Sequence, residues 1–400
     1  MIVEEKKLNI LFLSSWYPNR LFPALGNYVQ KHAECVAMKA NVAALFVCSD
    51  IDCEGKYEIE EETINGIYTV KVYYKKVRHR FPVVSHFLRM NRYFKGHFEG
   101  LKLINKNFGK VDLIHENVLY PAGIICWYLK KFKNIPYICT EHSTKYLSSK
   151  NIELGFAEKK LLAMIAKNAS CITPVSANLR DAMIEKGMKG DYEIVYNVVD
   201  TKLFFREKDK IKRGKIKLLH ISTLDDAQKN ISGMLRVTKQ LAELRNDFEF
   251  HFIGDGDKTQ HIKKAIRLGI YNTFAFFEGT KTTMEVAAIM RDSDCFVMFS
   301  NYENLPVVIV EALASGIPVV SSNVGGIGEH ITERFGTLVK QMDEEGLLIA
   351  LNNVIDDVKA EKYDAELLSN YANDNFSYEN VCERFHSIYY RVLNTKKPNE

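Results

Sequence analysis

Residues 295–330 read CFVMFSNYENLPVVIVEALASGIPVVSSNVGGIGEH. The run opens on an apolar, β-rich segment at 295–299 and breaks at Ser300-Asn301-Tyr302-Glu303-Asn304. It resumes as an apolar helical pattern over 306–314, stops at Ser315-Gly316, and ends in a second strand pattern over 318–321. Strand, loop, helix and strand in so short a span is the βαβ unit. Its two strands run parallel in one sheet because the helix carries the chain back.

The same rhythm extends outward. Strand patterns at 216–221, 248–253 and 273–277 alternate with helical patterns at 231–244, 258–268 and 283–290. Earlier in the chain, strand patterns fall at 8–13, 42–47, 69–74, 111–115, 137–140 and 171–174, with helical patterns such as 27–38 and 122–131 between them. The rhythm pauses around Tyr196-Asn197-Val198-Val199-Asp200, and a charged stretch over 206–217 follows. The alternation predicts an α/β protein built from two Rossmann-like, doubly wound domains with parallel sheets, over residues 1–196 and 197–375. Residues 376–400, helical in pattern over 378–393, are expected to pack back toward the first domain. Such sheets bind ligands beyond the carboxyl ends of their strands, so two of them facing each other would share one cleft.

The bulk composition excludes several classes. With 46% apolar and 26% charged residues over 400 positions, the chain is neither disordered nor fibrous. The apolar run near the start follows Glu4 and Glu5 and is too short for a secretory signal, and the apolar stretch at 306–320 is broken by Glu311, Gly316 and Pro318. A cytoplasmic protein without a transmembrane helix is expected. The eight cysteines form no CxxC pair and sit in apolar runs, as buried free thiols do. The net charge of +4 is unremarkable, but residues 71–110 hold eleven Lys or Arg against the single acid Glu99. Interleaved with Phe81, Phe87, Phe94, Phe98 and other aromatics, that segment suits an anionic lipid surface at the inner face of a membrane, and equally a solvated face over an ordinary core. No nucleic-acid-binding module is visible.

The chemistry concentrates at Glu303 and Glu311. A helix beginning near Pro306 would expose the backbone amides of Asn304 and Leu305 to a phosphate or sugar oxygen, with proline harmless in the first turn. Glu311 would lie roughly 12 Å further along, far enough to meet a different part of an extended ligand. For an isolated glutamate pair, a helix-start acid and a solvated helix position would be the stronger explanation. Glu311, however, lies inside the apolar run Val307-Val308-Ile309-Val310-Glu311-Ala312-Leu313, where a carboxylate needs a partner.

The ordered set of Glu303, Glu311, the ALASGIPVV turn and Gly325-Gly326 with Glu329 resembles the donor-binding region of the retaining glycosyltransferases of family 4 (glycosyl transferases group 1), which have the GT-B fold. The resemblance implies a nucleotide-sugar donor, UDP- or GDP-linked, and a glycan or lipid-linked acceptor in cell-surface polysaccharide or glycolipid synthesis. It gives Glu303 the transferred sugar, Glu311 the ribose, and the backbone of Asn304 and Leu305 the sugar and phosphates. Lys229 matches the family's diphosphate-binding lysine, while the arginine position is held by Thr223. His142, after the strand pattern at 137–140, matches a histidine near the reacting sugar. Gly26, closing the loop over 14–26, would let the backbone approach the donor phosphates. His115 and Glu116 are second-tier candidates for acceptor contact. The catalytic set is thus Glu303, His142 and Lys229, with no metal and no other cofactor, since Asp225-Asp226 and Asp255-Gly256-Asp257 read as turn acids. Two other readings stand beside this one: a non-catalytic partner that binds a nucleotide sugar or another transferase, and a nucleotide-sugar epimerase.

Overall fold

The computed structural model describes residues 7–23, 25–77, 80–147, 153–207 and 214–395. Arg78 of the basic segment, Ala24 of the loop over 14–26, residues 208–213 of the charged stretch, and both chain ends (1–6 and 396–400) lie outside the described residues.

Seven strands make the first sheet: β1 (Asn9–Ser14), β2 (Asn41–Asp50), β3 (Tyr57–Ile64), β4 (Ile67–Lys75), β5 (Leu113–Asn117), β6 (Tyr137–Glu141) and β7 (Cys171–Pro174), in the order β3-β4-β2-β1-β5-β6-β7. Its helices are α1 (Asn27–Ala37), α2 (Pro82–Leu103), α3 (Gly123–Lys133), α4 (Phe156–Asn168) and α5 (Ala177–Glu185). The second sheet has the order β10-β9-β8-β11-β12-β13, from β8 (Ile216–Ile221), β9 (Phe248–Ile253), β10 (Ala275–Gly279), β11 (Cys295–Met298), β12 (Val319–Ser322) and β13 (Gly336–Val339). Around it lie α6 (Asp226–Lys229), α7 (Ile231–Leu244), α8 (Thr259–Arg267), α9 (Thr283–Arg291), α10 (Val307–Ala314), α11 (Glu344–Lys359) and α12 (Ala365–Phe376). The last helix is α13 (Tyr378–Asn394).

Both sheets are covered on two faces, which is why their strands read as continuous apolar runs. In the second sheet, α9, α10 and α12 pack on one face through Met290, Ile309, Leu313 and Phe376, and α7, α8 and α11 on the other through Leu235, Ala265 and Leu351. In the first, one face is closed by α1 and α13, where Val29, Ala33, Phe385 and Tyr389 share a core with Ile10 and Phe12. The chain crosses between the cores twice. Val198 belongs to the core of the first half and Val199 to that of the second, while Phe376 and Val381 make the return step. The two crossings touch, Val199 donating its N–H to the Phe376 carbonyl at 2.8 Å.

The expectation of purely parallel sheets fails at one edge. β3 pairs antiparallel with β4 through Asn65 and Gly66, both at positive φ (51° and 80°), the geometry of a tight hairpin turn. β3 escapes notice in the sequence because Glu58, Glu60, Glu61 and Glu62 dilute its apolar pattern. Charge of that kind is how an exposed edge strand resists pairing with other chains. The short edge strand β13 likewise lies beyond the predicted set. In both sheets the strand order reverses at one point, between β1 and β5 and between β8 and β11. The loops that follow those strands therefore open onto a crevice at each switch point.

Candidate active site

At the second sheet's switch point, the loop after β11 is zipped to α6 by one backbone and two side-chain amide hydrogen bonds. Asn301 donates its N–H to the Gln228 carbonyl at 2.7 Å and its side-chain amide to the Ala227 carbonyl at 2.9 Å, and Gln228 reaches the Tyr302 carbonyl at 3.3 Å. This zipper sets Lys229, the last residue of α6, against Glu303. The ammonium donates to the Glu303 carboxylate, and both side chains are about nine-tenths buried, at 11% and 7% exposure. Gly325 and Gly326 make room for the loop. A Cβ on Gly325, at φ 60°, would meet the Glu303 carbonyl at 1.9 Å, and the Gly326 N–H donates to the Asn304 carbonyl at 2.8 Å.

The helix start differs from the expectation by one position. α10 begins at Val307, and Pro306 is its N-cap residue, with φ −65° and ψ 127°. The extended ψ of Pro306 explains the shift, because the chain turns helical only after the proline. Among the described residues, the amides of Asn304 and Leu305 donate no hydrogen bond, so both remain available to a ligand. The Asn304 side-chain amide bonds the His142 carbonyl, and Asn197 bonds the Leu305 carbonyl at 3.3 Å. Glu311 has the partner its apolar setting requires. Lys31, on α1 of the first half, lies 3.4 Å away across the cleft. Burial still raises the Glu311 carboxyl above the usual range, an effect that Lys31 opposes.

On the first half, Gly26 is the N-cap of α1 in the left-handed region (φ 68°). A Cβ there would lie 2.5 Å from the carbonyl group of Trp16, so the loop over 14–26 folds back on itself only with glycine. His142 follows β6. Its position is fixed by the fully buried Glu141 carboxylate, which accepts the N–H groups of His142 (2.9 Å), Ser143 (2.8 Å) and Leu119 (3.1 Å). The His142 ring packs against Tyr28 in a tilted arrangement, with centroids 4.4 Å apart, and lies 5.5 Å from the ring of His32, and its Nε2 is buried without a partner among the described residues. Burial, reinforced by His32 and His115, drives the His142 pKa well below the usual imidazole value. The ring is neutral and free to hydrogen-bond an uncharged group.

Two candidates are corrected. His115 and Glu116 lie within β5, which runs on to Asn117, and neither has any exposed surface. Both His115 nitrogens are engaged inside the core, with the Tyr389 hydroxyl and the Thr140 hydroxyl at 2.6 Å each, so it cannot touch an acceptor. Glu116 is enclosed beside Gly123, where a Cβ would lie 2.2 Å from its oxygen. Thr223 is exposed in the loop between β8 and α6. Asp225, Asp226 and Asp257 are spent on backbone amides at helix starts, and no cluster of three metal-ligating side chains forms among the described residues. Sequence reasoning missed Lys31, Tyr28 and the bridging role of Glu329, whose carboxylate caps α5 of the first half by accepting from Ala177 (2.9 Å) and Asn178 (2.7 Å). The acid next to His142 was a signal for Glu141; nothing local marks Lys31.

Known proteins bear on this geometry. The sequence pattern of the family described as "Glycosyl transferases group 1" matches residues 201–371, and that of "Glycosyltransferase Family 4" matches residues 44–203. An uncharacterized glycosyltransferase of Methanocaldococcus jannaschii is 26% identical over 72% of this chain and 78% of its own. Sucrose-phosphate synthase from Thermosynechococcus elongatus superposes with a TM-score of 0.75 over 98% of this chain and 100% of that one, at 18% identity. Anabaena HepE, solved in complex with UDP, superposes with a TM-score of 0.70 over 95% and 99%, at 16% identity. With one family pattern on each half, and a switch-point loop of each sheet turned toward a common cleft, the chain belongs to the family 4, group 1 glycosyltransferases of GT-B fold.

Proposed function

We propose that the protein transfers a sugar from a UDP- or GDP-linked donor to a glycan or lipid-linked acceptor, with retention at the anomeric carbon and without a metal. The observation that carries this reading is the Lys229–Glu303 pair, held where the loop after β11 is zipped to α6 at the switch point, with the free amides of Asn304 and Leu305 beside it. Residues 1–196 would supply the acceptor side and 197–375 the donor side. Glu303 accepts hydrogen bonds from the sugar hydroxyls, Lys229 and the backbone at Gly26 face the diphosphate, and Glu311 takes the ribose hydroxyls. Neutral His142 hydrogen-bonds the sugar without placing a positive charge beside a carbon that is itself becoming positive.

In the reaction the bond from the anomeric carbon to the phosphate oxygen breaks, and its electron pair stays on that oxygen. The acceptor oxygen bonds the same face of the carbon, and its proton passes to the departing phosphate. No protein nucleophile is required. The chain supplies orientation, exclusion of water and positive charge where the diphosphate gains negative charge.

The lipid side of the reading draws on α2. Phe81, Val83, Val84 and Phe87 are exposed together at its start, with Val83 81% and Phe87 69% accessible, and the exposed Lys75, Lys76 and Arg80 flank them. Apolar wedges rimmed by cations suit the inner face of an anionic membrane. Among the described residues no helix is long and apolar enough to cross one. Phe87→Ser should lower co-sedimentation with phosphatidylglycerol vesicles; unchanged sedimentation removes the membrane from the proposal.

The deciding experiment is calorimetric binding of UDP, GDP and ADP, with magnesium or with EDTA, to wild type and to Glu311→Ala. One nucleotide should bind equally well in both buffers and lose affinity in the variant. NMR of the product from the matching nucleotide sugar should then show retained anomeric configuration. Absence of binding to all three favours a non-catalytic partner that binds another transferase, and binding that needs magnesium ends the metal-free mechanism.

A further inference from the structure

Two helices approach the cleft with their N-terminal turns uncapped by any side chain: α1, entered through Gly26, and α10, entered through Pro306. Side chains on a helix lean toward its N-terminus. Lys31 and Glu311 are each the fifth residue of their helix, and they meet at 3.4 Å although 280 positions separate them. Their contact therefore brings the positive ends of two helix dipoles toward one space between the halves. The face of α1 that carries Lys31 is the face turned to the site, since the ring of Tyr28, one turn earlier, packs against that of His142. Lys31 keeps 21% of its side chain accessible, so its ammonium has room to move.

A sugar-linked diphosphate carries one negative charge on each phosphate and gains a third when the bond to the sugar breaks. Lys229 already faces Glu303 on the second half, and Thr223, in the loop after β8, is uncharged. We infer that Lys31 is a second diphosphate-binding cation, delivered from the opposite half of the molecule and parked on Glu311 until the donor arrives. The inference rests on the donor reading above. When ribose hydroxyls donate to Glu311, they occupy the oxygens that held Lys31. A lysine ammonium is a point charge on a flexible stem, and it swings to the phosphate oxygens that now carry the greater charge. The exchange makes the donor itself the strap between the halves, because its ribose is held by α10 and its diphosphate by α1.

The test compares the nucleoside diphosphate that wild type binds, whether UDP, GDP or ADP, with the matching nucleoside, on full-length wild type, Lys31→Met and Lys31→Arg. Lys31→Met should weaken the diphosphate by about ten- to a hundredfold, the range for a lost hydrogen bond to a charged group. The nucleoside, titrated by NMR, should change by no more than about threefold, because its contacts are with Glu311 rather than Lys31. Lys31→Arg should recover most of the diphosphate affinity, since it keeps the charge. Equal weakening of diphosphate and nucleoside would mean that Lys31 merely supports Glu311, and undiminished diphosphate binding by Lys31→Met would mean that it touches no phosphate; either overturns the inference while leaving the donor site intact. Failure of wild type to bind any of the three diphosphates overturns the donor reading itself, and this inference with it.

Discussion

The two lysine–carboxylate pairs of the cleft are alike in chemistry and opposite in construction. Lys229 and Glu303 belong to the same half, on α6 and the loop after β11, which Asn301 and Gln228 fasten to each other, and neither side chain is more than 11% exposed. Lys31 and Glu311 come from different halves, and the lysine is about twice as accessible as its counterpart, at 21%. The first pair is a fixed part of one folding unit. The second exists only while the halves stay together, so it reports their approach. One buried pair can thus serve as permanent machinery and the other as a contact that ligands exchange.

The contrast breaks first on stability. Lys229→Met leaves the Glu303 carboxylate buried without its cation, which should cost about 3–5 kcal/mol. Lys31→Met removes a cation that is more accessible, at 21% exposure, and that sits at a longer contact of 3.4 Å, so its cost should be the smaller, about 1 kcal/mol. Urea denaturation of both variants at neutral pH measures the difference. Equal midpoints would mean that the zippered loop relaxes around Glu303, and the distinction between fixed and exchangeable pairs would fall.

Function should separate the pairs differently. Glu303→Gln keeps the shape of the side chain and removes the charge that faces the sugar. The turnover number should fall about a hundred- to a thousandfold, the range for losing one preorganised transition-state contact. KM for the donor should move little, because the ribose and diphosphate contacts persist. Glu311→Ala should do the reverse, weakening nucleotide binding by about tenfold with a smaller change in turnover. Steady-state kinetics with a competent donor sharpen the comparison, and a shared loss of turnover in both variants would place both carboxylates on the sugar.

Legibility in the sequence followed the same division. The run over 295–330 carries its own evidence, because a carboxylate within an apolar helix is costly unless it is used, and Glu311 does have its partner. The identity of that partner was invisible: Lys31 is an ordinary lysine on an amphipathic helix, and its contact is 280 residues away. His115 and Glu116 were misplaced because a strand end cannot be located to within two residues from apolar pattern alone, and β5 continues through both. β3 was missed for its charge, although Asn65-Gly66 is a hairpin signal that the glutamates before it obscured. What pattern shows is where the chain is buried. What it hides is which distant side chain completes a buried charge.

The smallest effect concerns pH and the histidines that line the junction of the halves. His32 lies beneath His142, with its Nε2 at 3.2 Å from the Tyr196 carbonyl, and burial pushes its pKa down to about 4. In the unfolded chain the same imidazole protonates near 6.5. Between those values the unfolded state binds a proton that the native state refuses. The stability contribution of neutral His32 is therefore complete above about pH 6.5 and is lost as pH falls toward about 4, at up to ~1.4 kcal/mol per pH unit. His32→Gln should flatten the acid limb of the stability curve by about that slope. Turnover should behave otherwise, since His142 is held well below the imidazole range and stays neutral throughout. Donor turnover should then show no inflection near pH 6.5 that His142→Gln abolishes. Such an inflection would mean that His142 titrates in the loaded cleft, and that donor binding admits water to it.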